Sequence, residues 1–184
     1  MAGTLKVGTI TTPSGSGSIT IPSGVTLSGG GLANTPAFMA YQNAQVTGFS
    51  DATWSLMNFN TEEFDSDSAY DNTSGNFKFT VPSGQAGKYK FSTTIKIGDD
   101  SPSNETGVRW YKNGSELPSS AGSTYFNPYT GSYIVYADTC VSSIILNLSV
   151  GDYIQVYGRF NTSDNSTWYQ NEGSSFSGFK LIGA

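Results

Sequence analysis

Five carboxylates, Glu62, Glu63, Asp65, Asp67 and Asp71, fall in one short stretch, NTEEFDSDSAYD. Two carboxylates flanking a sugar bond are the minimum equipment of a glycosidase, so this is where hydrolytic chemistry would have to reside. The other common reagents are missing. The chain has no His, which removes Ser-His-Asp triads and His-bearing zinc sites, and its one cysteine cannot form a thiolate cluster. Without an imidazole to take its proton, Cys140 reads as a buried packing group that stays reduced. Asp99 and Asp100 in GDDSPSN form a second acidic pair, the kind of loop that can bring oxygens to calcium. The first stretch lacks the glycine and terminal Glu of a helix-loop-helix calcium loop, and both read as solvated acidic loops. No catalytic residue, metal ligand or cofactor is assigned, and the expectation is a non-enzymatic protein.

The elements that would position any site come from the rest of the composition. Of 184 residues only 12% are charged, while 22 are Gly and 14% are aromatic, a balance that suits short strands and tight turns over helices. The net charge of −5, with scattered basic residues, leaves no footprint for nucleic acid. No apolar run is long enough for a membrane-spanning helix, and the N-terminus lacks the apolar centre of a secretion signal, so the expectation is synthesis in a cytoplasm without membrane insertion. The N-x-S/T triplets follow from the abundance of Asn, Ser and Thr and carry no glycan argument.

The chain changes character near residue 33. Before it there is no aromatic ring, and the short alternations LKVGTI, SITI and VTL are separated by PSGSG and PSG turns; from Phe38 onward every aromatic residue appears. We read 1–35 as an extended, β-rich N-terminal segment and 36–184 as one β-sandwich. The strand candidates are PAFMAY, WSLMNFN, GNFKFTV, GKYKFSTTIKI, GVRWYKNG, GSYIVYA, CVSSIILNLSV, DYIQVYGRF and FSGFKLIG. EEFDSDSAYD lacks an apolar stripe of helical period and reads as a loop or short strand. In GNFKFTV, Phe77, Phe79 and Val81 share a face; in GKYKF, Tyr89 and Phe91 oppose Lys88 and Lys90. If Ile154 and Val156 point inward, then Tyr153, Gln155 and Tyr157 form an outward row that suits a partner surface.

The run from Phe59 to Phe91 resembles the globular head of complement C1q, in which Phe-Asn, Tyr-Asp, Gly-x-Phe, Pro and Gly-x-Tyr-x-Phe follow in order. Phe59, Asn60, Tyr70, Asp71, Gly75, Phe77, Pro82, Gly87, Tyr89 and Phe91 occupy those places. WYKNGSELP resembles the family's Asn-Gly hairpin, LNLSVGDYIQV its Leu-x-Leu-x-x-Gly-Asp strand pair and SSFSGFKL its closing strand. The resemblance implies an all-β, ten-stranded jelly roll of the tumour-necrosis-factor-like type, assembled as a homotrimer, for which Tyr153, Gln155 and Tyr157 are the candidate interface.

No collagen-like glycine period precedes the knob. Instead MAGTLKVGTITTPSGSGSITIPSGVTLSGGG resembles the leader of small virion fibre proteins of tailed phages of marine bacteria. Its apolar alternations suit completion of a sheet in another protein, with Leu5, Val7, Ile19 and Ile21 setting register. The expectation is therefore a trimeric fibre or decoration knob on the surface of a virion, docked on capsid or tail proteins and able to adhere to host surface carbohydrate. Tyr125, Phe126, Tyr129, Trp168 and Tyr169, in turn-rich stretches, are the candidate ligand contacts. A free-standing adhesive module outside any virion is the alternative.

Overall fold

The computed structural model describes residues 34–122, 124–126 and 137–181. In chain order the strands are β1 (Ala37–Tyr41), β2 (Val46–Phe49), β3 (Ser55–Leu56), β4 (Thr61–Asp65), β5 (Tyr70–Asp71), β6 (Lys78–Thr80), β7 (Gly87–Gly98), β8 (Ser103–Lys112), β9 (Ser115–Glu116), β10 (Thr124–Phe126), β11 (Ala137–Leu148), β12 (Tyr153–Thr162), β13 (Trp168–Gln170) and β14 (Ser175–Lys180). They form two seven-stranded sheets. The first runs β2-β13-β7-β14-β1-β4 with β11 also on β7; the second runs β10-β8-β12-β6-β5 with β3 on β12 and β9 on β8. This is the all-β jelly roll expected, with short strands such as β2, β3, β9 and β13 added to it. EEFD is strand β4.

Alternation explains which side of each strand is buried. Tyr89, Phe91, Ile95 and Ile97 of β7 face Phe79, Val108, Trp110, Ile154, Val156 and Phe160 of the other sheet in one apolar core. Phe38 joins the layers: it stacks on Tyr70 at 5.0 Å and on Phe79 at 5.1 Å, and meets the edge of Phe176 at 4.9 Å. Offset and edge-on ring pairs of this kind add to the free energy of burial itself. Gly178 of β14 permits the arrangement, since a Cβ there would come within 2.3 Å of the Phe91 ring. Several of the buried polar groups are matched within the chain. Gln170 accepts the Asn58 N–H at 2.8 Å and donates to the Asn58 carbonyl at 2.7 Å, while the Trp110 indole donates to Ser142 Oγ at 2.9 Å.

One expected face is shorter than the alternation implied. Phe79 and Val81 belong to the core, whereas Phe77 lies just before β6 with φ +36, which breaks the two-residue period and takes its buried ring out of the core cluster. The Asn-Gly hairpin is present as expected: Asn113 and Gly114, with φ 52 and 77, turn β8 into β9. Asn113 also accepts the Tyr153 N–H at 2.8 Å, so the turn holds the start of β12.

Candidate interaction surfaces

The outward face of the second sheet carries the Tyr153–Gln155–Tyr157 row, with the two tyrosines half-buried and Gln155 buried. These side chains are engaged within the chain. The Tyr157 ring stacks on Tyr111 at 4.0 Å, the Lys78 ammonium sits 5.2 Å over the Tyr153 ring, and Gln155 is buried with its amide donating to the Asn76 carbonyl at 2.7 Å. Beside them the Arg109 guanidinium lies 4.0 Å over Trp54 and pairs with Glu116 at 2.6 Å. The cause is geometric. β12 is central in its sheet, with β8 on one side and β3 and β6 on the other, so long side chains from β8 and β6 close over the row.

The exposed large apolar residues lie mostly on the other sheet. Val141 and Ile145 of β11 are 62% and 61% exposed, and Phe64 of β4 and Met39 of β1 are also open. Strand register joins them into rows. Ile145, Lys90, Phe179 and Ala37 are successive partners across β11, β7, β14 and β1; Val141, Thr94, Ser175 and Tyr41 form a parallel row. Between them run Ser143, Ser92, Ser177, Met39 and Phe64. The sequence held a signal for this face. With Cys140, Ser142 and Ile144 turned inward, Val141 and Ile145 in CVSSIIL must point out, which makes both faces of β11 apolar.

The candidate ligand contacts separate. Trp168 is buried, stacked on Phe49 at 4.5 Å with its indole donating to the Ser50 carbonyl at 2.8 Å. It is a packing residue and cannot stack on a sugar, because β13 pairs with both β2 and β7 and turns the ring beneath them. Tyr169, next along β13, points the other way and is half-buried. Tyr125 and Phe126 lie on β10 opposite Gly107 and Thr106, whereas Tyr129 lies outside the described residues. So do the docking candidates Leu5, Val7, Ile19 and Ile21.

The acidic stretch is occupied by turn chemistry. Asp65 accepts the Tyr70 N–H at 2.8 Å, and Asp71 accepts the Thr73 N–H at 3.0 Å; the Thr73 hydroxyl and N–H hold the Asp71 carboxyl below its ordinary range. Burial, with the charges of Asp65 and Asp71, pushes Glu62 up. Asp99 is buried and accepts from the Ser101 N–H at 3.2 Å and from the Ser166 hydroxyl. Among the described residues no three His, Cys, Asp or Glu side chains gather as a metal site. Cys140 is buried, and desolvation pushes its thiol up to about 11. No helix of the described residues is long and apolar enough to cross a membrane.

The Gly151-Asp152 turn is a densely hydrogen-bonded polar corner. Asp152 pairs with Lys112 at 2.7 Å, accepts from the Asn113 amide at 2.7 Å and from the Ser149 N–H at 2.8 Å. These contacts, Lys112 foremost, hold its carboxyl down at about 2.

The globular domain of zebrafish complement 1qA is similar in structure, with a TM-score of 0.50 and 18% identity over 80% of this chain and 98% of that one. The Eiger TNF of S. frugiperda aligns with a TM-score of 0.49 and 16% identity over 80% of this chain and 93% of that one. No curated protein matches in sequence. Domains of the C1q and tumour-necrosis-factor type are generally non-enzymatic, and they typically form homotrimers that bind ligands. The C1q domain model matches residues 37–181, from the start of β1 to just past the end of β14, and the chain therefore belongs to the C1q domain family.

Proposed function

We propose that this protein is a non-enzymatic, homotrimeric binding knob carried on a virion, and that it assembles through the outward face of its first sheet. The observation that carries the assembly is the set of apolar side chains Met39, Phe64, Val141 and Ile145, left open on one sheet and joined by rows of Ser and Thr. Small polar residues between open apolar ones let two sheets approach closely, as a dry interface requires. Trimerisation through this face leaves the aromatic face of the second sheet and the loop aromatics outward. Light scattering of the full chain should give three times the single-chain mass, and Val141→Lys with Ile145→Lys should give one.

The virion assignment rests on the resemblance of the first 31 residues to phage fibre leaders and on the abrupt gain of aromatic residues after them. In this reading segment 1–35 docks on a capsid or tail protein by strand addition, and the knob adheres to host surface carbohydrate. The localisation is the virion surface, after synthesis in the host cytoplasm. Mass spectrometry of gradient-purified particles tests it: the protein should be present at a fixed stoichiometry to the capsid protein. Its absence would leave a free-standing adhesive trimer.

A further inference from the structure

Asn113 and Gly114 are the chain's one Asn-Gly pair, and they sit in the exposed turn between β8 and β9. Glycine leaves its own nitrogen unshielded by a side chain, so this is the sequence in which the backbone most readily attacks an asparagine amide. We propose that Asn113 is a masked deamidation site, that Asp152 and Tyr153 are the groups that mask it, and that its reaction marks irreversibly any chain in which this corner has opened.

The chemistry needs only water. The Gly114 nitrogen gives up its proton and bonds to Asn113 Cγ, the Cγ–Nδ2 bond breaks, and Nδ2 departs with that proton as ammonia. Water then opens the five-membered imide at either carbonyl, leaving an aspartyl or an isoaspartyl residue, with no change of oxidation state.

For the ring to close, Cγ has to turn toward the Gly114 nitrogen and become pyramidal. The structure holds Asn113 against both movements. Its Nδ2 donates to Asp152 Oδ1 at 2.7 Å and its Oδ1 accepts the Tyr153 N–H at 2.8 Å, so each end of the planar amide is fixed to the first residues of β12. The Asn113 N–H donates to the Tyr153 carbonyl at 3.0 Å, which ties the main chain of the turn to the same residue. Gly114 lies against the Tyr153 side chain, since a Cβ there would come within 3.1 Å of its hydroxyl oxygen. Asp152 is anchored in turn by Lys112 at 2.7 Å and by the Ser149 N–H at 2.8 Å, so the acceptor does not follow the amide when it swings away. A hydrogen bond to an ionised carboxylate is the stronger kind, which makes Asp152 the principal guard.

The product cannot restore the corner. Aspartate at 113 has no donor for Asp152 Oδ1 and sets a second carboxylate beside it, with Lys112 shared between them. An isoaspartyl link adds a main-chain carbon to a two-residue turn whose flanking residues, Lys112 and Ser115, are paired. The turn belongs to the second sheet and not to the face that carries Val141 and Ile145.

The test is the deamidation rate at Asn113 in the full-length protein, read by peptide mass spectrometry during incubation at pH 8 and 37 °C. The native parent should react about tenfold or more slowly than the same chain in guanidinium chloride, the protection expected of two hydrogen bonds, one of them to a carboxylate. Asp152→Ala, which takes the acceptor from Nδ2, should react at least about threefold faster than Ile97→Ala, a control destabilised in the core away from the turn. Asp152→Asn keeps an acceptor oxygen and should fall between the parent and Asp152→Ala. The deamidated parent, separated by its additional negative charge, should melt several degrees below the unreacted chain. Equal rates in the native and denatured parent would overturn the proposal. So would an Asp152→Ala rate no higher than that of Ile97→Ala, or, where the alanine variant does not fold, an Asp152→Asn rate no higher than the parent's. A deamidated chain that melts with the parent would overturn the claim that the corner is lost.

Discussion

At the residue scale, the polar corners are the most consequential single positions. Asp152 ties Lys112, the Asn113 side chain and the Ser149 N–H to the first residues of β12, and its carboxyl titrates at about 2, below the ordinary 3.8. A carboxyl whose folded value is depressed stabilises the fold above its unfolded value, and that contribution is lost as pH falls through the folded one. Asp152→Asn should therefore lower unfolding free energy at pH 7 by about 2 kcal/mol, the worth of charged hydrogen bonds at a partly shielded site. The gap between parent and variant in urea titrations should narrow from pH 4 to pH 2. Cys140 offers a complementary check. With its thiol buried and pushed to about 11, it should not react with a thiol reagent in the native protein at pH 8, and should react on addition of denaturant. Cys140→Ser should fold, losing about 1 kcal/mol. A covalent dimer on non-reducing gels would contradict this packing role.

At the element scale, β11 and β12 show what could be read ahead of the coordinates and what could not. The core side of both followed from alternation: Ile154 and Val156 of β12 and Ile144 of β11 are buried. The outer side did not, because alternation says which residues point away from a core but not which neighbours cover them. Alternation turns Tyr157 outward, and Tyr111 stacks on it from β8 across a register that no local pattern specifies. Trp168 lies in a turn-rich stretch of the sequence, yet three residues suffice for β13 once β2 and β7 flank it. The two outer faces make opposite predictions. Val141→Lys with Ile145→Lys should reduce the light-scattering mass from three chains to one, with the far-ultraviolet spectrum unchanged, because both positions are exposed on a strand that pairs, among the described residues, only with β7. Tyr157→Ala should leave the mass at three chains and lower stability by about 1 kcal/mol for the lost ring pair. The reverse pattern would return the interface to the second sheet.

At the scale of the whole molecule, the order of motifs makes the family legible, since Phe59, Tyr70, Tyr89 and Phe91, which lie on separate segments between residues 59 and 91, meet in one core, while Phe77 stays outside it. The first segment offers no such closure, having no ring to contribute to a core. Its proposed role is therefore testable by separation. Deleting residues 1–35 removes no aromatic residue and none of the described core, so the remaining 36–184 should keep its three-chain mass and melt within a few degrees of the parent. Docking should be lost instead, because strand addition depends on the main chain and on Leu5, Val7, Ile19 and Ile21 to fix register. Particles produced with the truncated chain should lack the knob, and segment 1–35 fused to an unrelated trimeric protein should enter them. Polar substitution of Leu5, Val7, Ile19 and Ile21 in the full chain should reduce incorporation without changing the trimer mass. Incorporation of the truncated knob at the parent's copy number would assign docking to the sandwich itself and end the anchor proposal.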